Sequence, residues 1–294
     1  MTNDHPCQND AVPKVSVVIA TYNWSSVLPY SIGSVLRQTW GEFELLVVGD
    51  GCTDDSEAVV TAIGDPRVRW INLPANSGHQ SIPNNEGLRQ ASGEVIAYLG
   101  HDDLWLPHHL EACLHALDTS GADVAYSLVA CVGPEGHFVS PSVPQPSRRL
   151  YSPPSGMMHR RSVTDRIGGW RPYRELRTTP DVELWQRATA AGCVFTAVPR
   201  LTALKFPASW RRNVYRIRPS HEQAEWLSRI AADAHLEQRL LVEALVAERP
   251  GAVSYRRLVR QLARETMARL RRPSVLPWRR RGGNIDAARN FKGL

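Results

Sequence analysis

The chain has 294 residues, of which 43 % are hydrophobic, and carries a formal net charge of +6. This composition supports a folded core and excludes global disorder. No apolar run reaches the roughly 18–20 residues that a membrane-spanning helix needs. Residues 1–14 lack a basic segment followed by an apolar one, so no secretion signal is expected. The five cysteines are scattered without a CxxC pair, which predicts reduced thiols in a cytoplasmic protein and no structural zinc site.

The charge is unevenly distributed along the chain. From Tyr255 to Leu294 there are 12 Lys and Arg against 2 Asp and Glu, whereas from Met1 to Ser254 there are 23 against 27. The body is therefore mildly acidic and the C-terminal segment is strongly basic. We expect the two parts to have different partners.

Apolar runs and helical patterns alternate from Val15 to about Val198. Strands are predicted at 15–21, 44–50, 68–73, 94–100 and 123–132, and helices at about 25–39, 56–63, 81–91 and 107–119. This alternation predicts an α/β fold with a mostly parallel, Rossmann-like sheet flanked by helices. The segment from Pro134 to Pro180 predicts irregular loops and short strands. Further helices are predicted at 180–192, 221–248 and 254–272.

Polar residues follow three of the predicted strands, in "ATYN" (20–23), "GDGCTDD" (49–55) and "GHDD" (100–103). In such sheets ligands bind outside the carboxyl ends of the strands. Asp102 and Asp103 are adjacent carboxylates directly after an apolar strand, where a solvated turn is the simplest interpretation. Hard oxygen ligands at this edge also suit Mg²⁺ or Mn²⁺ bound together with substrate phosphates.

Five blocks then occur in order: "VSVVIATYN", "ELLVVGDGCTDDS", "NSGHQSIPNNEGLRQASGEVIAYLGHDDLWLP", "GGW" and "DVELWQRATAAG". Together they resemble the family 2 glycosyltransferases with the GT-A fold, over about residues 14–200. The resemblance implies a metal-dependent, inverting transfer of a sugar from a nucleoside-diphosphate donor, expected to be a UDP-sugar, to a hydroxyl acceptor. Polysaccharide or glycolipid assembly is the implied setting.

The resemblance also divides the chain. It implies a flexible N-terminus at 1–13 and a glycosyltransferase domain at 14–219. Within that domain a nucleotide-sugar half covers about 14–105 and an acceptor half about 106–219. A helical, basic extension is expected at 220–294.

Matching the family motifs position by position gives the expected site residues. The implied nucleotide-binding residues are Thr21, Tyr22, Asn23, Asp50 and Asp102. Asp50 corresponds to the acid that usually bonds the base, commonly uracil, and Asp54 lies in the same loop. Asp102 is the implied ligand of Mn²⁺ or Mg²⁺, with Asp103 supporting it. His101 beside them is either an extra ligand or a partly exposed loop residue.

The sequence departs from the family pattern at three of these places. Gly49 stands where the first acid of the nucleotide loop is usual, and Cys52 stands where a serine is usual. Gly100 replaces the first acid of the metal motif, which puts tight metal binding in doubt.

Asp181 begins the helix that follows "GGW", and the resemblance implies that it is the catalytic base. A helix N-terminus stabilises a carboxylate, although an acid in a first helical turn is also routine. Pro180 replaces the usual partner acid, and Glu183 is the weaker alternative base.

Other residues have two interpretations each. Trp170 either stacks on a sugar or packs a turn. The following arginines either meet phosphates, pair with acids or lie on a solvated face: Arg148, Arg149, Arg160 and Arg161. His79 and Asn85 lie in a segment that the family uses near the donor, without a defined role.

The predicted helix 254–272 has an apolar stripe and an arginine-rich face. It is followed by "PSVLPWRRRGG", in which a tryptophan stands beside three arginines. A basic amphipathic helix of this kind suits an anionic membrane surface, so peripheral contact with the inner face of the membrane is one interpretation. Packing of the stripe on the body is the other. No aromatic-bearing RNA motif is present, so no nucleic acid is expected.

Two further functions compete with catalysis of sugar transfer. The departures at Gly49, Gly100 and Pro180 motivate a non-catalytic member that binds sugar nucleotides or organises a complex. A nucleotidyltransferase is disfavoured because "TYNWSSVLP" has no Gly-rich basic loop. The donor sugar, the acceptor, the linkage and the oligomeric state do not follow from the sequence.

Overall fold

A computed structural model describes residues 13–134, 138–139, 153–247 and 291–293. Within these residues a nine-stranded sheet has the order β3-β2-β1-β4-β8-β6-β9-β5, with β7 paired to β6. The strands are β1 Val15–Thr21, β2 Phe43–Gly49, β3 Val68–Asn72, β4 Val95–Tyr98, β5 Leu104–Trp105, β6 Val124–Val132, β7 Phe138–Val139, β8 Met157–Arg160 and β9 Phe195–Lys205.

Helices cover both faces of this sheet. They are α1 Leu28–Leu36, α2 Ser56–Thr61, α3 Ser81–Gln90, α4 His109–Ser120, α5 Arg161–Ile167, α6 Pro180–Ala190, α7 Val214–Ile217, α8 His221–Ala232 and α9 Leu236–Ala247. None of the helices in the described ranges is long and apolar enough to cross a membrane.

The sheet has a parallel half and a mixed half. Strands β3, β2, β1 and β4 pair in parallel. Beyond β4 the pairs β4–β8, β8–β6 and β9–β5 are antiparallel, and β6–β9 is parallel. The α/β prediction is confirmed, and all five predicted strands are present, as β1 to β4 and β6. The parallel pairing is concentrated in the N-terminal half.

Both faces of the sheet are buried, which explains the near-continuous apolar runs of the parallel strands. Val17 and Ile19 of β1 pack with apolar residues of α1 and α4. Val18 points to the opposite face, because successive side chains alternate across a strand. There it joins residues of α5 and α6 in a second core.

Several elements differ from the sequence prediction, and the short elements β5 and α7 were not predicted. The helix predicted at 221–248 is two helices, because the Asp233 carboxylate accepts the His235 N–H at 2.9 Å. Such side-chain-to-backbone bonds compete with helix continuation. Helix α5 lies where loops and short strands were predicted. Strand β9 was not predicted, since Pro199 interrupts its apolar pattern and a register shift accompanies it in the pairing with β6.

Some sequence predictions fall outside the described residues. These are the flexible residues 1–12, the basic helix 254–272 with the segment that follows it, and the possible phosphate contacts of Arg148 and Arg149. For these segments the predictions stay predictions.

Candidate active site

The first loop of the site follows β1. Thr21 is buried, and its Oγ1 lies 3.0 Å from Nδ1 of His101 in the loop after β4. Tyr22 is 37 % exposed, so its ring is available to a ligand at this edge. Residues after two neighbouring strands are thus in direct contact, as expected at the carboxyl edge of parallel strands.

Asn23 joins the loop after β1 to the loop after β2. Its φ of 45° lies in the left-handed region, which Asn tolerates better than most residues. Its amide oxygen accepts the Thr53 N–H at 2.7 Å and the Asp54 N–H at 3.2 Å, and its amide nitrogen donates to Thr53 Oγ1. Asn23 therefore has a structural role in holding the predicted nucleotide loop together.

Asp54 also has a structural role. One carboxylate oxygen accepts the Ser25 N–H at 3.1 Å, and the other accepts the backbone and hydroxyl groups of Ser56 at the start of α2. This carboxylate satisfies N–H groups that have no partner inside the helix.

Asp50 is buried at the end of β2. Its two carboxylate oxygens accept the N–H groups of Ser77 and Gly78 at 3.0 and 3.1 Å. An ionised carboxylate has about four acceptor sites, so capacity for a further donor remains. Asp50 is therefore oriented by backbone amides of the segment between β3 and α3.

The departure at Gly49 has a steric cause. A Cβ at this position would lie 2.6 Å from Asn72 Oδ1 and 2.7 Å from the Trp70 ring. Neither distance leaves room for a side chain. The volume that an acid would occupy is filled by these two residues of β3.

Asp102 has a nearly buried carboxylate that accepts no hydrogen bond from another residue in the described part of the chain. Burial, and then the neighbouring Asp103 carboxylate, raise the pKa of Asp102 well above its usual range. Gln223 of α8 donates instead to the backbone carbonyl of Asp102, at 3.1 Å. Gln223 thus holds the backbone of the loop, and the Asp102 side chain remains available to a cation.

Asp103 is fully buried and fully bonded. One carboxylate oxygen accepts the hydroxyl of Ser155 and lies 3.1 Å from Lys205 Nζ, and the other accepts the Phe206 N–H at 3.0 Å. The same carboxylate explains Gly100, because a Cβ there would lie 2.7 Å from Asp103 Oδ2. Asp103 thus supports the loop that carries Asp102, and its bonds compete with direct metal ligation.

His101 lies beneath this loop. Burial lowers the pKa of His101 to about 4, so the ring is neutral near pH 7. Its ring edge contacts Trp24, with the centroids 5.1 Å apart. The ring is 9 % exposed, so it is not a partly exposed loop residue.

No group of three or more His, Cys, Asp or Glu side chains that could hold a metal ion occurs within the described residues. Of the two carboxylates in the loop after β4, that of Asp102 has no competing donor within the described residues, whereas that of Asp103 is bonded. Mg²⁺ and related ions are commonly bound by one or two carboxylates with substrate phosphates and water supplying the rest. Asp102 fits an ion that arrives with a diphosphate rather than a permanently bound one.

The sheet register gives the position of Asp181. Phe195, at the start of β9, pairs with Val124, at the start of β6. Helix α6 ends just before β9, so its C-terminus is at the amino edge of the sheet and its N-terminus is at the carboxyl edge. Asp181, in the first turn of α6, therefore belongs to the same edge as Asp102. It is 9 % exposed and has no hydrogen-bond or ion-pair partner within the described residues.

Glu183 has a different environment from Asp181. Its carboxylate pairs with Arg187 at 2.7 Å and with Arg171 at 3.2 Å. Arg187 also donates to the carbonyls of Ile167 and Gly169. Glu183 therefore orients the arginine that ties α6 to the "GGW" loop.

Asn85 fixes the other side of that loop. Its amide nitrogen donates to the Trp170 carbonyl at 2.8 Å, and its amide oxygen accepts the Trp170 N–H at 2.7 Å. A Cβ on Gly169 would lie 2.2 Å from Asn85 Oδ1, which explains the glycine. Trp170 is 2 % exposed and packs edge-to-face on Tyr98, so it packs a turn and is not available to stack on a sugar.

The remaining candidates have protein partners. Arg160 donates to the carbonyls of Leu117 and Ala122, and Arg161 to those of Ala91 and Gly93. Both arginines are used within the fold rather than at the cleft. The ring of His79 stacks on Tyr173, with the centroids 4.8 Å apart.

Sequence reasoning missed several residues that shape the site. They are Trp24, Ser155, Lys205, Phe206, Tyr215 and Gln223. Lys205 is 102 residues from Asp103, and Gln223 is 121 residues from Asp102. The "PPSG" turn around Ser155 was the one local signal, and it did not indicate a contact with an acid.

Comparison with known proteins adds related sequences. The chain is 32 % identical over 171 residues to an uncharacterised glycosyltransferase from Nostoc sp., covering 52 % of this chain and 53 % of that protein. It is 30 % identical over 130 residues to WfgD of Escherichia coli, a UDP-Glc:α-D-GlcNAc-diphosphoundecaprenol β-1,3-glucosyltransferase, covering 43 % of this chain and 51 % of WfgD. The chain thus spans about half the length of these two relatives.

Solved structures share the fold at low identity. The crystal structure of S. aureus TarS with UDP-GlcNAc has a TM-score of 0.58 at 21 % identity, covering 79 % of this chain and 71 % of that one. The mannosyltransferase PcManGT from Pyrobaculum calidifontis with GDP-Man and Mn²⁺ has a TM-score of 0.54 at 16 % identity, covering 90 % and 82 %. These matches confirm the GT-A type of α/β fold. The Glycosyl transferase family 2 model matches residues 16–175, more than half of the chain, so the chain belongs to glycosyltransferase family 2.

Proposed function

We propose that the protein is an inverting glycosyltransferase that moves a sugar from a UDP-sugar to a hydroxyl of a polysaccharide or lipid-linked acceptor. The observation that carries the proposal is the pair of carboxylates without partners, Asp102 and Asp181, at the same edge of the sheet. The pKa of Asp102 is raised by burial and by Asp103, and acids with a pKa shifted in this way are frequent at functional sites.

Asp181 acts as the base in this proposal. Its carboxylate accepts the proton of the acceptor hydroxyl as that oxygen attacks the anomeric carbon. The new C–O bond forms as the bond from the anomeric carbon to the diphosphate breaks, and the nucleoside diphosphate leaves with that electron pair. A single displacement of this kind inverts the anomeric centre without a covalent enzyme intermediate.

The other edge residues bind the donor. Asp50, held by two backbone amides, has acceptor capacity for an N–H of the base. Thr21, Tyr22 and Asn23 line the adjoining strand end. Asp102 would hold Mn²⁺ or Mg²⁺ together with the diphosphate, and such an ion neutralises negative charge on the leaving group.

The relatives support the donor and acceptor classes. TarS was crystallised with UDP-GlcNAc, and the name of WfgD specifies a UDP-sugar and a diphosphoundecaprenol acceptor. PcManGT was crystallised with Mn²⁺. We extend the proposal to a cytoplasmic enzyme that contacts the membrane peripherally, with its basic C-terminal segment as one contact.

A ligand-binding screen tests the donor. Thermal unfolding of the full chain with UDP, GDP or ADP, each with and without Mn²⁺, is expected to give the largest rise in Tm for UDP plus Mn²⁺. Asp102→Asn should lose the Mn²⁺-dependent part of that rise. Equal responses to the three nucleotides would count against the role of Asp50.

A turnover assay separates catalysis from the non-catalytic alternative. Wild-type protein with a UDP-sugar and Mn²⁺ should release UDP, and Asp181→Asn should bind UDP normally but release little. Donor binding without turnover on any UDP-sugar and acceptor would favour a sugar-nucleotide-binding or complex-organising protein.

A further inference from the structure

One segment of the acceptor half, residues 207–218, lies against the rim of the cleft. Arg211 is buried and pairs with Glu222 at 2.6 Å. Tyr215 packs on Trp24, with the ring centroids 5.6 Å apart. The first contact fixes the inner side of the segment to α8, and the second fixes it to the loop after β1.

The other end of the chain returns to this segment. The Asn213 N–H donates to the Phe291 carbonyl at 2.9 Å. A Cβ on Gly293 would lie 2.9 Å from the Arg216 side chain and 3.3 Å from Asn213 Cα, so Gly293 packs directly on this segment. Residues 291–293 therefore extend the surface formed by residues 207–218.

The outer side carries a group of exposed residues, which we call the rim patch: Trp210, Arg212, Arg216, Ile217 and Phe291. Trp210 is 42 % exposed, Ile217 69 % and Phe291 45 %. They are three of the seven exposed large apolar residues in the described part of the chain. The rim patch is therefore an unusual concentration of exposed apolar surface.

The charge of the rim patch is of one sign. Residues 207–218 contain four arginines and no acid. Arg212 and Arg216 form no ion pair within the described residues, whereas Arg211 is paired inward. The arginine-rich sequence from Tyr255 onward ends on this same surface, at Phe291.

We propose that the rim patch docks the protein on the surface of an anionic phospholipid bilayer. Aromatic and aliphatic side chains can enter the boundary between headgroups and acyl chains, while flanking arginines meet lipid phosphates. A nucleic-acid backbone would satisfy the arginines but offers no apolar partner for Ile217. A purely apolar protein partner would leave the two arginines unpaired.

The location of the rim patch gives the docking a consequence, which rests on the proposed function. Tyr215 contacts His101, and Gln223 of the following helix holds the Asp102 carbonyl. A membrane against the rim patch would thus lie beside the loop that carries Asp102. A lipid-linked acceptor would reach the cleft without leaving the bilayer.

Vesicle sedimentation of the full chain tests the docking. Vesicles of phosphatidylcholine alone are compared with phosphatidylcholine–phosphatidylglycerol vesicles. The variant R212Q/R216Q should bind the anionic vesicles roughly thirtyfold more weakly, since each arginine near such a surface contributes about 1 kcal/mol. The variant W210S/I217S should weaken binding by about tenfold. The controls Arg37→Gln and Val194→Ser alter exposed residues elsewhere and should bind as the wild type does.

Wild-type affinity in both rim-patch variants would overturn the proposal and leave the basic C-terminal segment as the membrane contact. Absence of binding to anionic vesicles by the full chain would also overturn it. Turnover of a UDP-sugar with a soluble acceptor is measured on the same samples. Rim-patch variants that lose vesicle binding but keep normal turnover support the docking proposal. If the wild type shows no turnover but its vesicle binding still depends on the rim patch, only the proposed function is refuted.

Discussion

Two acidic regions border the cleft, the loop after β4 and the first turn of α6, and each contains one bonded acid and one free acid. Asp103 is bound by Lys205, and Glu183 is bound by Arg187. Asp102 and Asp181 have no side-chain partner within the described residues. In both elements the fold supplies a cation to one acid and leaves its neighbour without a side-chain partner among the described residues.

The two free acids differ in their surroundings. Asp102 lies next to a second carboxylate and is deeply desolvated, which raises the pKa of Asp102. Asp181 lies in the first turn of α6 and, among the described residues, has no second carboxylate bonded beside it as Asp102 has. The environment of Asp102 suits an acid that binds a cation. The environment of Asp181 suits an acid that accepts a proton in the proposed reaction.

The largest expected effect is on catalysis at α6. Asp181→Asn should lower the rate of sugar transfer by about 10²–10⁴-fold, the usual contribution of a general base. The Kd for UDP should not change, because in the proposed mechanism the Asp181 carboxylate contacts the acceptor hydroxyl and not the nucleotide. UDP release and isothermal titration measure the two quantities.

Glu183→Gln is the matched variant in the same turn. It should lower stability through the loss of the Arg187 pair while retaining most of the turnover of the folded protein. If Asp181→Asn and Glu183→Gln lose the same amount of turnover at equal folded fraction, the bonded acid and the free acid do not have different roles.

The next effect is on stability at the loop after β4. Asp103→Asn should lower the free energy of unfolding by about 3 kcal/mol, because it removes the charged partner of the buried contact with Lys205 and disturbs the bonds to Ser155 and Phe206. Asp102→Asn should not lower it, because no hydrogen bond from another described residue is lost. Urea unfolding of both variants without metal or nucleotide makes the comparison. A larger loss for Asp102→Asn would contradict it.

The sequence predicted the parallel half of the fold well for a physical reason. Strands buried on both faces are apolar throughout, so β1 to β4 are visible as runs. Strands β8 and β9, in the mixed half of the sheet, depend on pairing with strands that are distant in sequence. Pro199 interrupts the apolar pattern of β9. The same limit applies within the site. Asp102 and Asp103 are identical neighbours in sequence, and the partners that distinguish them, Ser155, Lys205 and Phe206, are 52 to 103 residues away.

A smaller effect on stability is expected at low pH from protonation of His159, which contacts α6. His159 is fully buried and contacts Trp185, and burial lowers the pKa of His159 to about 4. In the unfolded chain the pKa is about 6.5, so below that pH the unfolded state binds a proton that the folded state does not. Stability should therefore fall as pH decreases from about 6.5 towards 4, by up to about 2 kcal/mol between pH 6.5 and 5.

His159→Gln should flatten this part of the pH dependence, whatever its effect on absolute stability. His115→Gln, on the exposed face of α4, serves as the control and should leave the pH dependence as in the wild type. An unchanged slope in His159→Gln would show that α6 is not destabilised by acid through this ring.

The smallest effect concerns how the α6 region is held beside the cleft. Gly169→Ala should destabilise the protein, because its Cβ would meet the Asn85 amide at 2.2 Å. Asn85→Ala should cost about 1–3 kcal/mol through the two lost bonds to Trp170. The double variant should cost less than the sum by about 1 kcal/mol, since alanine at position 85 leaves space for the new methyl group. If the losses of unfolding free energy in the double variant are additive, Asn85 does not position the loop before α6. Arg187 would then be the contact that holds Asp181 at the edge of the sheet.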